Sequence, residues 1–187
     1  MPIRWCASPP TRPPPLTPPR YQSHLRARPF TTQVVTTAVL FTAGDVLAQQ
    51  AVERRGAAHS WARTARMSAY GGCVFGPAAT LWMRVLAARV RTARPAATVA
   101  ARVALDQLLF TPANLACFLG AMAWLEGADV RGRLREAYVP VLRTNWMVWP
   151  LVQAVNFAVV PLEHRVLVVN VVALGWNCYL SYMNAKG

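Results

Sequence analysis

A chain of 187 residues fits one domain, and 55% hydrophobic residues with a mean hydropathy of +0.26 exceed what a water-soluble domain carries. A formal net charge of +13 taken alone would suggest a nucleic-acid partner. The basic residues instead border apolar segments and form no single face, which excludes nucleic acid and favours membrane lipid, anionic phospholipid above all.

Metal, redox and hydrolytic chemistry have no sequence support. Cys6, Cys73, Cys117 and Cys178 lie too far apart for a zinc clip or redox motif. His24, His59 and His164 are equally scattered, without the acid neighbours of a metal site or nucleophile-base pair. With no phosphate-cradling loop either, no catalytic, cofactor or metal site is expected, and the chain is not expected to be an enzyme.

In chain order, residues 1–30 come first, dense in proline from Pro2 to Pro29 and holding Arg4, Arg12, Arg20, Arg26 and Arg28 with no acid before Asp45. They are expected to be disordered, with only Leu16 to Pro29 able to give a short helix. Their Arg-rich, acid-free character partly matches an organelle transit peptide. Residues 31–187 are expected to form an all-α integral membrane helical bundle.

The first apolar segment, Thr32 to Val52, is long enough at about 1.5 Å per residue to cross a hydrocarbon core of about 30 Å. Asp45 and Gln49 share a face of it, and Gly44 with Ala48 makes a small-residue edge. A carboxylate at that depth costs roughly 2.5 to 3.5 kcal/mol, so Asp45 must be paired with Arg, neutralised or hydrated. After the polar loop Glu53 to Arg63, a second span from Met67 to Val90 carries Gly72 and Gly76 as a packing edge, and Pro77 is expected to kink it. The third span, Ala97 to Leu125, places Arg102 and Asp106 four apart, a spacing that predicts a structural salt bridge, with Gln107 beside them.

Gly127 to Arg143 alternates charge with apolar residues and predicts an interfacial amphipathic helix. Asn145 to Arg165 sets amides and prolines into apolar sequence, with Asn145, Gln153 and Asn156 close to one helical stripe and Trp149 beside them. Such amides either bridge neighbouring helices or line a wet path. Val166 to Tyr182 carries Asn170 and Asn177 near one stripe. Whether that run crosses separately decides between four spans and five.

Many short strings, in order, resemble the Mpv17 family of peroxisomal and inner-mitochondrial membrane proteins, which includes the fungal Sym1 stress proteins. They include Thr31-Thr32-Gln33, Gly44-Asp45, Ala48-Gln49-Gln50, Arg63-Thr64, Gly76-Pro77, Trp82 and Asp106-Gln107. Asn145-Trp146, Trp149-Pro150, Gln153, Asn156-Phe157, Val160-Pro161, Arg165, Asn170 and Trp176-Asn177 continue the match nearly to the end. Ser60 departs from it, standing where members often have Asp.

The resemblance implies a small membrane protein of about four spans, a weakly selective pore for ions or metabolites that serves organelle homeostasis and stress response. A non-conducting scaffold is the alternative. Asp45, Gln49, Asp106, Gln107, Asn145, Gln153, Asn156, Asn170 and Asn177 are the candidate pore-lining or polar packing residues, and Gly72, Gly76 and Pro77 the helix-packing ones. A homo-oligomer is a further expectation. The leader favours the mitochondrial inner membrane over a peroxisomal or chloroplast membrane.

Overall fold

The computed structural model describes residues 19–186, with side chains described from 20 to 176. All regular structure among them is helical. Helix α1 (Pro19–Ala27) leads into α2 (Pro29–Leu47), which continues through a π turn at Ala48–Val52. Helices α3 (Trp61–Tyr70) and α4 (Gly76–Arg89) are joined by a π turn at Gly71–Phe75, and α5 (Pro95–Leu105) and α6 (Thr111–Leu125) by another at Asp106–Phe110. Helices α7 (Val130–Val159) and α8 (Arg165–Lys186) complete the order.

The helix starts follow from local chemistry. Proline opens α2 and α5, where its missing N–H is no loss and its fixed φ suits the first turn. The Ser60 hydroxyl accepts from Arg63 N at the start of α3, and the Asp129 carboxylate accepts from Arg131 N and Gly132 N at the start of α7. Each π turn widens the helix, re-phases the face that follows, and sits at buried small or polar residues: Ala48 and Gln49, Gly71 and Gly72, Asp106 and Gln107.

The short helix expected within Leu16 to Pro29 is α1, which buries Leu25 and is tied to α2 by the Thr32 hydroxyl donating to His24 O at 3.1 Å; residues up to 18 lie outside the described residues. One expectation is corrected here. The amphipathic stretch before Arg143 is no separate surface helix, because α7 runs unbroken through Pro140 and Pro150 to Val159. Its early turns pack on α6, with Leu142 buried and the Tyr138 hydroxyl donating to Pro112 O at 3.3 Å. Pro77, the expected kink position, falls in the first turn of α4 directly after the π turn at Gly71–Phe75, where a proline is tolerated.

The last apolar run is a helix of its own. Pro161 turns the chain after α7, a short 3₁₀ turn at Leu162–His164 follows, and α8 starts at Arg165.

The bundle is inverted relative to a water-soluble one. Gln33, Thr37, Asp45, Gln49, Asp106, Gln153 and Asn156 are buried, while Val35, Val39, Leu108, Leu109, Met147, Leu151 and Val159 stand exposed. That distribution suits lipid outside and polar contacts within. Pro29–Val52 and Pro95–Leu125 are each long and apolar enough to cross a bilayer. An apolar core also exists, where Ala79, Met83 and Leu86 of α4 meet Phe157 of α7 and Val166 and Val169 of α8. Helix α2 packs on α8, α3 and α4, and α7 packs along α5 and α6.

Candidate functional site

Close approach of α2 to the α3–α4 run sets the geometry of the interior. A Cβ on Gly71 would meet the Phe41 ring at 2.6 Å, and one on Gly72 would meet Ala38 Cβ at 3.1 Å. A Cβ on Gly76 would come within 2.9 Å of Gly71 O and 3.3 Å of Thr37 Cβ. Only a residue without a side chain fits at Gly71. Pro77 follows this edge and makes no part of the contact described for the glycines.

Two polar clusters form inside. The first joins the end of α2 to the start of α3. Asp45 Oδ2 accepts from Gln49 Nε2 at 2.7 Å and from the Thr64 hydroxyl at 2.6 Å. Arg63 Nε stands 2.7 Å from Asp45 Oδ1, an ion pair whose angle makes it a charge contact more than a directed hydrogen bond. Gln49 also closes on the backbone, its Oε1 accepting from Ser60 N at 2.7 Å and its Nε2 donating to Ser60 O at 3.2 Å. Asp45 is therefore ion-paired, as one of its expected resolutions had it, and this cluster is closed on itself.

The second cluster centres on Asp106, at the opening of the third π turn and about 17 Å along its helical run from Pro95. Its Oδ1 accepts from Trp82 Nε1 at 2.9 Å, and its Oδ2 accepts from Gln107 Nε2 at 2.9 Å and Gln153 Nε2 at 2.8 Å. Asn156 Nδ2 donates onward to Gln153 Oε1 at 3.0 Å and to Arg165 O at 3.4 Å. Three neutral donors thus hold a buried carboxylate, and no cationic group stands within 4.0 Å of it among the described residues. The predicted Arg102–Asp106 salt bridge is absent. Arg102 donates instead to Val90 O, at 3.2 Å from Nε and 3.1 Å from Nη2, because that carbonyl at the end of α4 has no helical partner.

Asp106, Gln107, Asn145 and Gln153 line a cavity of about 200 Å³, with Tyr70, Asn114 and Trp149 among its other polar walls and Phe41, Phe75, Phe110 and Phe118 among its apolar ones. Gln107 Oε1, Asn145 Nδ2 and Trp149 Nε1 are buried without a hydrogen-bond partner among the described residues. Buried polar atoms of this kind are ordinarily satisfied by water. At about 30 Å³ of liquid volume per molecule, the cavity has room for several.

Other expected residues lie elsewhere. Asn156 is buried beside the cavity but not on its wall. Asn170 Nδ2 donates to the Thr37 hydroxyl at 2.8 Å, tying α8 to α2. Asn177 lies outside the described side chains. Sequence reasoning missed Gly71, Trp82 as a carboxylate donor, and the continuation of the Asp45 and Gln49 face back to the buried Gln33 and Thr37. The signal for that continuation was available, since those positions recur every fourth residue through Phe41.

Relatives resolve what the geometry leaves general. The chain is 57% identical to the protein sym-1 of Neurospora crassa, the alignment covering 89% of this chain and 98% of the relative. The chain belongs to the Mpv17 / PMP22 family. That family's model matches residues 123–181. The protein SYM1 of Saccharomyces cerevisiae is 41% identical over 89% of each chain. The mitochondrial inner membrane protein Mpv17 of Xenopus laevis is 40% identical over 89% of this chain and 96% of its own. No solved structure matches. With its two membrane-length apolar runs, this Mpv17 / PMP22 member is an integral protein of the mitochondrial inner membrane.

Proposed function

We propose that this protein is a weakly selective channel whose solution path passes through the Asp106 cavity. The observation that supports it is the wall itself: a carboxylate held only by neutral donors, three polar atoms unpartnered among the described residues and an aromatic surround, all inside a bundle whose outer face is apolar. Ionisable groups inside a membrane bundle that face a cavity are marks of solute and ion paths. In this reading the runs that pack along the two apolar ones cross the bilayer with them, giving four or five spans. Asp106, Gln107, Asn145 and Gln153 would face solution, whereas Asp45, Gln49, Asn156 and Asn170 hold helices together. The carboxylate would favour cations weakly, since it is one charge among amides.

The saturation of the Asp45 cluster is what favours the second reading, a non-conducting scaffold, because closed polar pairs are helix glue. Purified full-length protein in planar bilayers separates the two. Reproducible unitary currents whose cation preference falls in Asp106→Asn are the channel result. Silence from folded, correctly inserted protein is the scaffold result.

A further inference from the structure

Four helix ends converge on one side of the bundle, where α4 ends, α5 begins, α7 ends and α8 begins. Between them lies a cleft of about 580 Å³ bordered by Arg91, Thr98, Arg102, Phe157 and Arg165 among others, with no carboxylate on its wall. Each arginine is held from behind by a backbone carbonyl. Arg91 Nε donates to Ala87 O at 3.2 Å, and Arg102 donates to Val90 O. Arg165 donates from Nε to Val160 O at 3.0 Å and from Nη2 to Phe157 O at 3.3 Å, with its guanidinium over the Phe157 ring.

Those bonds fix the side chains and leave guanidinium N–H groups over. Arg165 is only 7% exposed, yet its Nη1 has no hydrogen-bond partner among the described residues. Arg102 and Arg165 border the same cleft, so their positive charges share one space that no carboxylate lines. Like charges brought together with a buried donor left open call for an anion. The first turn of α5, with Pro95 and Thr98 on the cleft, adds the positive end of its helix dipole.

We propose that this cleft binds a phosphate group, carried either by a water-soluble solute or by a phospholipid headgroup. Phosphate is favoured over a carboxylate because three guanidinium groups, from the α4–α5 link, α5 and α8, surround a space that can take a tetrahedral anion with several acceptor oxygens. The site is separate from the Asp106 cavity, shares no wall residue with it, and does not depend on conduction.

The test uses full-length protein in nonionic detergent and reads its thermal unfolding midpoint. One arm titrates inorganic phosphate against chloride at equal ionic strength; the other adds phosphatidylglycerol against phosphatidylcholine. The variants are Arg91→Gln and Arg102→Gln, with Arg131→Gln at the start of α7 as the distant control. Stabilisation by phosphate identifies a soluble ligand, and stabilisation by phosphatidylglycerol alone identifies a headgroup. In either case Arg91→Gln and Arg102→Gln should weaken the apparent affinity about 10-fold, the loss of one charge-assisted bond, while Arg131→Gln leaves it unchanged. Should Arg102→Gln fail to fold without its hold on Val90, the solvent-exposed Arg91 decides alone. No stabilisation by either ligand, or stabilisation that the two cleft variants keep in full, overturns the proposal.

Discussion

Gln153 Nε2 lies 2.8 Å from Asp106 Oδ2, so the amide that punctuates α7 is a donor to a buried carboxylate on another helix. That changes its weight. A neutral interhelical bond in a membrane averages about 0.6 kcal/mol, whereas a hydrogen bond to a charged group is worth about 1.5–3 kcal/mol. Gln153→Leu should therefore lower unfolding stability in detergent by the larger amount, and by much less once Asp106→Asn is already present. Equal losses in both backgrounds would show that the pair is not coupled.

The Asp45 cluster predicts an asymmetry. Removing Arg63 strands a carboxylate whose side chain is fully buried, while Asp45→Asn keeps an acceptor for Gln49 and Thr64 and leaves Arg63 its second pair, with Glu53 Oε1 at 2.8 Å. Breaking a buried pair from one side costs about 3–5 kcal/mol. Because the Arg63 side chain is 33% exposed, Arg63→Ala should fall at the lower end of that range. Asp45→Asn should do less harm, and adding it to Arg63→Ala should recover part of the loss. Unfolding curves that rank the two single variants the other way would remove the ion pair from the account.

How much of this was legible beforehand depends on distance along the chain. The stripe of Gln153 and Asn156 was visible because a helix repeats every 3.6 residues, and both are buried. Their partner was not, since Asp106 is 47 residues from Gln153 and no local rule brings the two together. The Arg102 expectation failed for a nearer reason. Four residues is the right spacing on an α-helix, but the unsatisfied carbonyl of Val90 offered the guanidinium a better acceptor. The π turn at Asp106 left no mark in composition. The charged stretch before Arg143 looked interfacial because its polar residues dominate, although Leu142 and Tyr138 already carried its packing on α6.

Gly71 gives a steric prediction with an internal control. A Cβ there meets the Phe41 ring at 2.6 Å, whereas at Gly175 nothing lies within 4 Å. Gly71→Ala must push α2 outward and should destabilise by about 1–3 kcal/mol, as overpacking does. Gly175→Ala should be neutral or stabilise by up to about 1 kcal/mol through helix propensity. Circular-dichroism melts of the two variants check this directly. Comparable melts would mean that α2 and the α3–α4 run do not approach as closely as the glycine edge requires.

Asn145 separates the channel from the scaffold most cleanly, because it lines the cavity and its Nδ2 bonds to nothing among the described residues. Leucine is close to asparagine in reach but carries no donor, so Asn145→Leu removes an unsatisfied polar group and breaks no described hydrogen bond. On the protein side stability should hold or rise, since leaving a buried donor unmade costs about 1–3 kcal/mol. On the water side the change is adverse, for the cavity loses polar wall and gains apolar wall, which favours drying of a space this narrow. A conducting protein should then keep its melting midpoint and lose most of its current in bilayers or its solute flux in liposome swelling. A scaffold should show the same gain in stability with no change in flux. Unchanged permeability in a well-folded Asn145→Leu protein would therefore take the Asp106 cavity off the solute path.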